Sequence, residues 1–179
     1  MHTHPDPKSS SFPHFQPHIT LASINPSSTP GLTAALSSIP PNQPSIPVFF
    51  QSLQVGDHFF RSVYIAIRPS TALSDLHAAI HAALGTEPNT PLFPHMSVYY
   101  IHDNEAGERK RIYEELERAG RMKQDNDSLT LDCWTDGMVH EWINGFEGEE
   151  IWIVDCDGPV EDWKKVLRKI PLERSQSVG

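Results

Sequence analysis

The sequence predicts an α+β fold built on antiparallel sheets. Short apolar runs of period two recur along the chain, they are joined mostly by short turns, and strands outnumber the segments with helical spacing. A length of 179 residues suits one domain, or two lobes sharing one core.

The first dozen residues (MHTHPDPKSSSF) have no period and are expected to be disordered. The domain is therefore placed at residues 12–173, between tails at 1–11 and 174–179. Phe15–Ile24 carries the first apolar alternation and reads as a strand. Ten of the sixteen prolines lie before residue 48, so 26–47 reads as loop with at most one short helix near Leu32–Leu36. Val48–Val55 and His58–Ile67 read as a hairpin turning at Gly56-Asp57. Ser70 or Thr71 caps a helix that Gly85 stops, with a stripe of Leu73, Leu76, Ile80 and Leu84. Phe93–Ile101 is a further strand. Glu105–Arg121 is a charged helix whose i,i+4 pairs, such as Glu114 with Arg118 and Glu117 with Arg121, mark a solvated face. Strands are expected at Ser128–Trp134 and Glu150–Cys156, then a turn at Asp157-Gly158-Pro159, and a last strand or helix–strand segment at Trp163–Leu172.

Composition removes several function classes. The net charge of −9 argues against tight binding of long nucleic acid, which needs a basic face. It leaves room for a small phosphate ligand in a locally neutral or positive pocket. The longest apolar run, Val63–Ile67, is far short of a membrane span, and no apolar leader precedes Pro17. Cys133 and Cys156 make neither a disulfide framework nor a zinc box, which fits a reducing compartment. No glycine-rich phosphate cradle is present, so an ATP-dependent kinase or ligase is not expected.

One short pattern occurs twice. Pro17-His18-Ile19-Thr20-Leu21 and Pro94-His95-Met96-Ser97-Val98 both read Pro-His-apolar-hydroxyl-apolar, and a phenylalanine precedes each. Strand side chains alternate faces, so each copy sets an imidazole beside a hydroxyl on one side and two apolar residues on the other. A pseudo-twofold arrangement would gather two imidazoles and two hydroxyls in a cleft. That set suits phosphodiester hydrolysis without metal: a neutral imidazole takes a proton from water, an imidazolium gives one to the leaving oxygen, and the hydroxyls hold the non-bridging oxygens. The plain alternative is a pair of ordinary sheet histidines. A single H-x-T would be worth almost nothing as a signal; the matched pair carries the argument.

The pair resembles the signature of the two-histidine (2H) phosphoesterase superfamily. More closely, the chain is similar to fungal 2′,3′-cyclic-nucleotide 3′-phosphodiesterases over Phe15–Leu21, Val48–Ile67, Leu73–His77, Pro94–Tyr100 and Glu150–Trp163. The resemblance implies a bilobal fold, with two antiparallel sheets around a cleft and helices outside. It implies opening of 2′,3′-cyclic nucleotides to 2′-phosphates, and of ADP-ribose 1″,2″-cyclic phosphate formed after tRNA splicing. It implies His18 and His95 as the acid–base pair, with His95 assigned as base and His18 as acid, and Thr20 and Ser97 as phosphate ligands. It also implies Tyr100 as a further phosphate ligand. Strand parity favours Tyr99 for the side of His95, so Tyr100 requires a strand end or bulge. No cofactor and no metal are implied. The partner is a small cyclic-phosphate nucleotide, with no long nucleic acid and no membrane, in an intracellular, cytoplasmic setting; a Golgi association rests on analogy alone. Family members carry a strand and helix before the first motif. Only seventeen residues precede His18 here and they read as neither, so the first lobe is expected to lack both.

Other features have bland readings. His77 and His81 lie i,i+4 on one helix, but Ala78 stands where the zincin pattern has glutamate, so helix-rim histidines are expected rather than metal ligands. His2, His4 and His14 read as tail residues. Trp134, Trp142, Trp152 and Trp163 are expected in core or lobe contacts, any one of them being able to stack a base. Cys133 and Cys156 are expected to be small core residues rather than nucleophiles. Two further functions stay open: a descendant that binds nucleotides or RNA ends without turnover, and an interaction protein whose histidine pair is coincidental.

Overall fold

The computed structural model describes residues 11–25, 27–88, 90–133, 141–163 and 166–174. Its elements in chain order are α1 (Thr29–Ser38), β1 (Ile46–His58), β2 (Arg61–Ile67), α2 (Thr71–Leu84), β3 (His95–Tyr99), α3 (Ala106–Arg118), β4 (Met122–Gln124), β5 (Leu129–Asp132), β6 (Trp142–Ile143), β7 (Gly145–Gly148), β8 (Glu150–Val154) and β9 (Val166–Pro171). Every pairing between adjacent strands with a defined register is antiparallel, as the sequence predicts. The chain forms two compact units interleaved in sequence. One holds Met1–Ile19, Phe49–Ile67 and His95–Gly145; the other holds Thr20–Val48, Arg68–Pro94 and Phe146–Gly179.

In the first unit the strand order is β3-β2-β1; β7, apart from Gly145, and the first three residues of β1 fall in the second unit. Register assigns the faces of this sheet. Leu53 pairs with Ile65, Phe50 with Ile67, and Ile65 with Met96, and all five are buried. Each such side chain contributes about 1.5–3 kcal/mol of burial. The opposite face carries Ser52, Gln54, Tyr64, Ala66, His95 and Ser97. The hairpin differs from its sequence reading. β1 continues through Gly56-Asp57 to His58, and the chain turns at Phe59-Phe60. A register shift between Val55 and His58 brings Gly56 against the facing strand, where a Cβ would stand 1.7 Å from the Arg61 carbonyl oxygen. Only glycine fits that approach. The three-stranded sheet β4-β5-β6 completes the β structure of this unit. On α3, Ile112 and Arg109 are buried. Arg109 donates to the Ile101 carbonyl at 2.7 Å and is paired with Asp103. The solvated face holds Arg111 between Glu108 and Glu115.

In the second unit α1 packs on α2. α1 is longer than the sequence suggested. Ser28 caps it by accepting from Gly31 N, and Pro30 sits in the first turn, where its missing N–H costs nothing. α2 matches its prediction at both ends: Ser70 Oγ accepts from Leu73 N at 3.2 Å, and Gly85 closes the helix at φ 67°. Two side chains of α2 depart from expectation. His77 and His81 are buried, not at the helix rim. β8 and β9 form a hairpin, in which Trp152 is exposed and carries Lys169 Nζ 3.8 Å above its ring.

Three further expectations fail. Phe15–Ile24 is not a strand; only Ile19 makes a bridge. Cys133 and Cys156 are exposed rather than core residues. Trp142 and Trp152 are exposed, Trp163 is half-buried, and Trp134 lies outside the described residues, as do His2 and His4. No described helix is long and apolar enough to cross a membrane.

Candidate active site

The two H-x-T/S segments begin as separate stretches of sequence and meet through one pair of residues. Ile19 and Met96, the apolar centres of the two motifs, form an antiparallel bridge. Residues facing each other across an antiparallel pair share a side of the sheet, so Ile19 joins the packed side with Met96. The same register sets His18 across from Ser97, on the polar side that also carries His95.

His18 is exposed, and its Nδ1 lies 2.7 Å from the Gln16 carbonyl oxygen. A carbonyl can only accept, so Nδ1 carries a proton and Nε2 is the atom left to take or give one. The Phe15 ring meets the imidazole edge-on at 6.5 Å. His95 is half-buried at the start of β3, and the Tyr64 ring stands against it edge-on at 5.5 Å. Ser97 is buried, and its hydroxyl donates to the Phe60 carbonyl at 3.1 Å. To serve a phosphate oxygen the hydroxyl hydrogen must rotate away from Phe60.

β3 also holds the bulge that Tyr100 requires. Tyr64 pairs with Ser97, but the next pair is Val63 with Tyr99, so Val98 is an extra residue. The alternation reverses there, and Tyr100 comes to the side of Ser97. Its ring stacks on Phe15 at 4.3 Å and meets Phe59 at 5.5 Å and Phe60 at 5.8 Å. Tyr100 is only 4 % exposed, so its body packs in an aromatic cluster. Phe15 thus touches both His18 and Tyr100. The remaining predicted ligand, Thr20, is the first residue of the second unit, two positions after His18. Among the described residues no group of three or more His, Cys, Asp or Glu is placed to hold a metal ion.

Sequence reasoning missed the Gln16 carbonyl behind His18, the Tyr64 ring beside His95 and the Phe60 carbonyl that receives Ser97. Backbone acceptors leave no signature in residue type. Tyr64 does have one, since it shares its side of β2 with Ala66 in the strand that pairs with β3.

The model of the family described as "CPDase: Cyclic phosphodiesterase-like protein" matches residues 3–172. The chain belongs to the cyclic phosphodiesterase-like family. Membership implies phosphodiesterase hydrolase activity on a small cyclic phosphate. No curated protein matches the chain. In this cyclic phosphodiesterase-like chain, the family match spans both copies of the motif and all nine strands.

Proposed function

We propose that the protein hydrolyses 2′,3′-cyclic nucleotides to nucleoside 2′-phosphates, and ADP-ribose 1″,2″-cyclic phosphate to ADP-ribose 1″-phosphate, without a metal ion. The resemblance to fungal cyclic phosphodiesterases supports a link of this reaction to tRNA splicing. The Ile19–Met96 bridge is the observation that supports this reading most, because it joins the two motifs by their apolar centres and sets His18 across from Ser97, on the side that carries His95. Residues 12–173 act as one bilobal phosphoesterase domain with the substrate phosphate in a cleft.

His18 and His95 divide the proton work. One imidazole takes a proton from the attacking water as it adds to phosphorus; the other, as imidazolium, protonates the departing ribose oxygen. His95 is assigned as base and His18 as acid. The Gln16 carbonyl supports that role for His18 by keeping a proton on Nδ1, so that gain and loss occur at Nε2. Thr20 and Ser97 donate to the non-bridging oxygens as charge builds in the transition state. The Tyr100 hydroxyl adds a donor from the end of β3.

The test is turnover of 2′,3′-cyclic adenosine phosphate by the purified chain, followed by substitution of each histidine. Binding without turnover would favour a non-catalytic nucleotide-binding descendant instead.

A further inference from the structure

The segment that follows the first motif, Thr20 to Asn25, belongs to no helix or strand. The carbonyl oxygen of Leu21, one residue after Thr20, is held by two side chains from elsewhere in the second unit. His81 Nε2, from α2, lies 3.2 Å away, and Thr90 Oγ1, from the loop before β3, donates to it at 3.1 Å. Neither is a surface contact. His81 is 7 % exposed and Thr90 is half-buried.

A carbonyl only accepts, so His81 donates from Nε2, while its Nδ1 lies 3.0 Å from the Thr86 hydroxyl. The Thr90 hydroxyl spends its hydrogen on Leu21, so Thr90 Oγ1 accepts from His77 Nε2 at 3.0 Å. His77 is fixed in turn by stacking on Phe93, 3.8 Å between ring centres. Two of these bonds end on one backbone oxygen beside Thr20, and the others hold the two side chains that make them. A buried polar network of this kind is costly to leave incomplete, and complete it fixes a unique geometry.

We propose that His81 and Thr90 are positioning residues that fix the Thr20 hydroxyl for phosphate binding by holding the carbonyl of Leu21. The proposal rests on the reading of Thr20 as a phosphate ligand. Neither residue touches substrate; both act through the backbone. A chain without ladder bonds at this point would let the Thr20 hydroxyl wander, and a donor misplaced by about 1 Å loses much of its effect on the transition state.

A double-mutant cycle tests it. Thr90→Val keeps the shape and removes the hydroxyl, and Thr90→Ser keeps the hydroxyl. Against a 2′,3′-cyclic nucleotide, Thr90→Val is expected to lower kcat/KM about tenfold, with Thr90→Ser close to the parent. In a Thr20→Val background the same change is expected to cost less than about twofold, because the group it positions is gone. Equal losses in both backgrounds, or no loss in either, would overturn the proposal. Amide hydrogen exchange separates this outcome from failure of the functional reading. If the parent chain turns over no cyclic phosphate, faster exchange in Thr90→Val confined to residues 18–24, with an unchanged thermal midpoint, still supports the tether; unchanged exchange there overturns it. Should Thr90→Val lower the midpoint markedly, His81→Leu with His81→Gln as its conservative partner goes through the same cycle.

Discussion

Ile19 pairs with Met96, and that bridge sets His18 across from Ser97 at the edge of β3. The imidazole of the first motif therefore faces the hydroxyl of the second. Two predictions follow directly from this register, one for each side chain.

His18→Ala and His95→Ala are each expected to lower turnover by about two or more orders of magnitude, the usual scale of general acid–base loss. His18 is exposed and His95 half-buried on the polar side of the sheet, so circular dichroism and the thermal midpoint should stay close to the parent. Near-normal turnover in either variant sinks the mechanism.

Ser97→Ala removes a hydroxyl that donates to the Phe60 carbonyl and, in the proposed mechanism, to a phosphate oxygen. Its bond to the Phe60 carbonyl contributes about 1 kcal/mol of stability, which denaturant titration would register. Its loss as a phosphate donor is expected to lower kcat/KM by about tenfold to a hundredfold. A stability loss with unchanged kinetics would leave Ser97 as a strand-pinning residue only.

Gly56→Ala tests the hairpin that supplies that carbonyl. A methyl group cannot stand 1.7 Å from the Arg61 carbonyl oxygen, so β1 and β2 must part locally. The expected cost is about 1–3 kcal/mol, with a parallel fall in activity as Phe60 shifts away from Ser97. A midpoint equal to the parent's would show that the bulge relaxes freely.

How far these features were legible in the sequence depends on how local their cause is. The second motif is legible because a strand's two-residue period sorts His95 and Ser97 from Met96 without any tertiary information; the first reads as a strand too, where only Ile19 makes a bridge. The ends of α2 were legible because Ser70 and Gly85 act within one turn. α1 was read too short: its serine- and proline-rich sequence resembles loop, and the deciding facts are the Ser28 cap and the packing on α2. The strands β4, β6 and β7 are two to four residues long and too short to display a period. The apolar stripe of α2 alone leaves His77 and His81 at its rim. Their burial depends on Thr86, Thr90 and Phe93, which the sequence does not tie to α2.

His77 makes stability depend on pH. Burial, and then the neighbouring His81, lower the pKa of His77 from its ordinary 6.5. A histidine whose folded pKa lies below its unfolded value binds its proton more readily when unfolded. Its contribution is thus full above pH 6.5 and is lost as pH falls from there to the folded pKa. The thermal midpoint should drop as pH falls below 6.5, and His77→Phe should flatten that part of the curve. An equally steep fall in His77→Phe would place the cause elsewhere.

The central claim is metal-independent opening of a cyclic phosphate by the two histidines, and phosphorus NMR tests it most directly. Purified chain is mixed with 2′,3′-cyclic adenosine phosphate in excess chelator, and the cyclic signal is followed over time. The account predicts its conversion to the 2′-phosphate alone, abolished in His18→Ala and in His95→Ala. A persistent cyclic signal, or conversion that requires added metal, would contradict it.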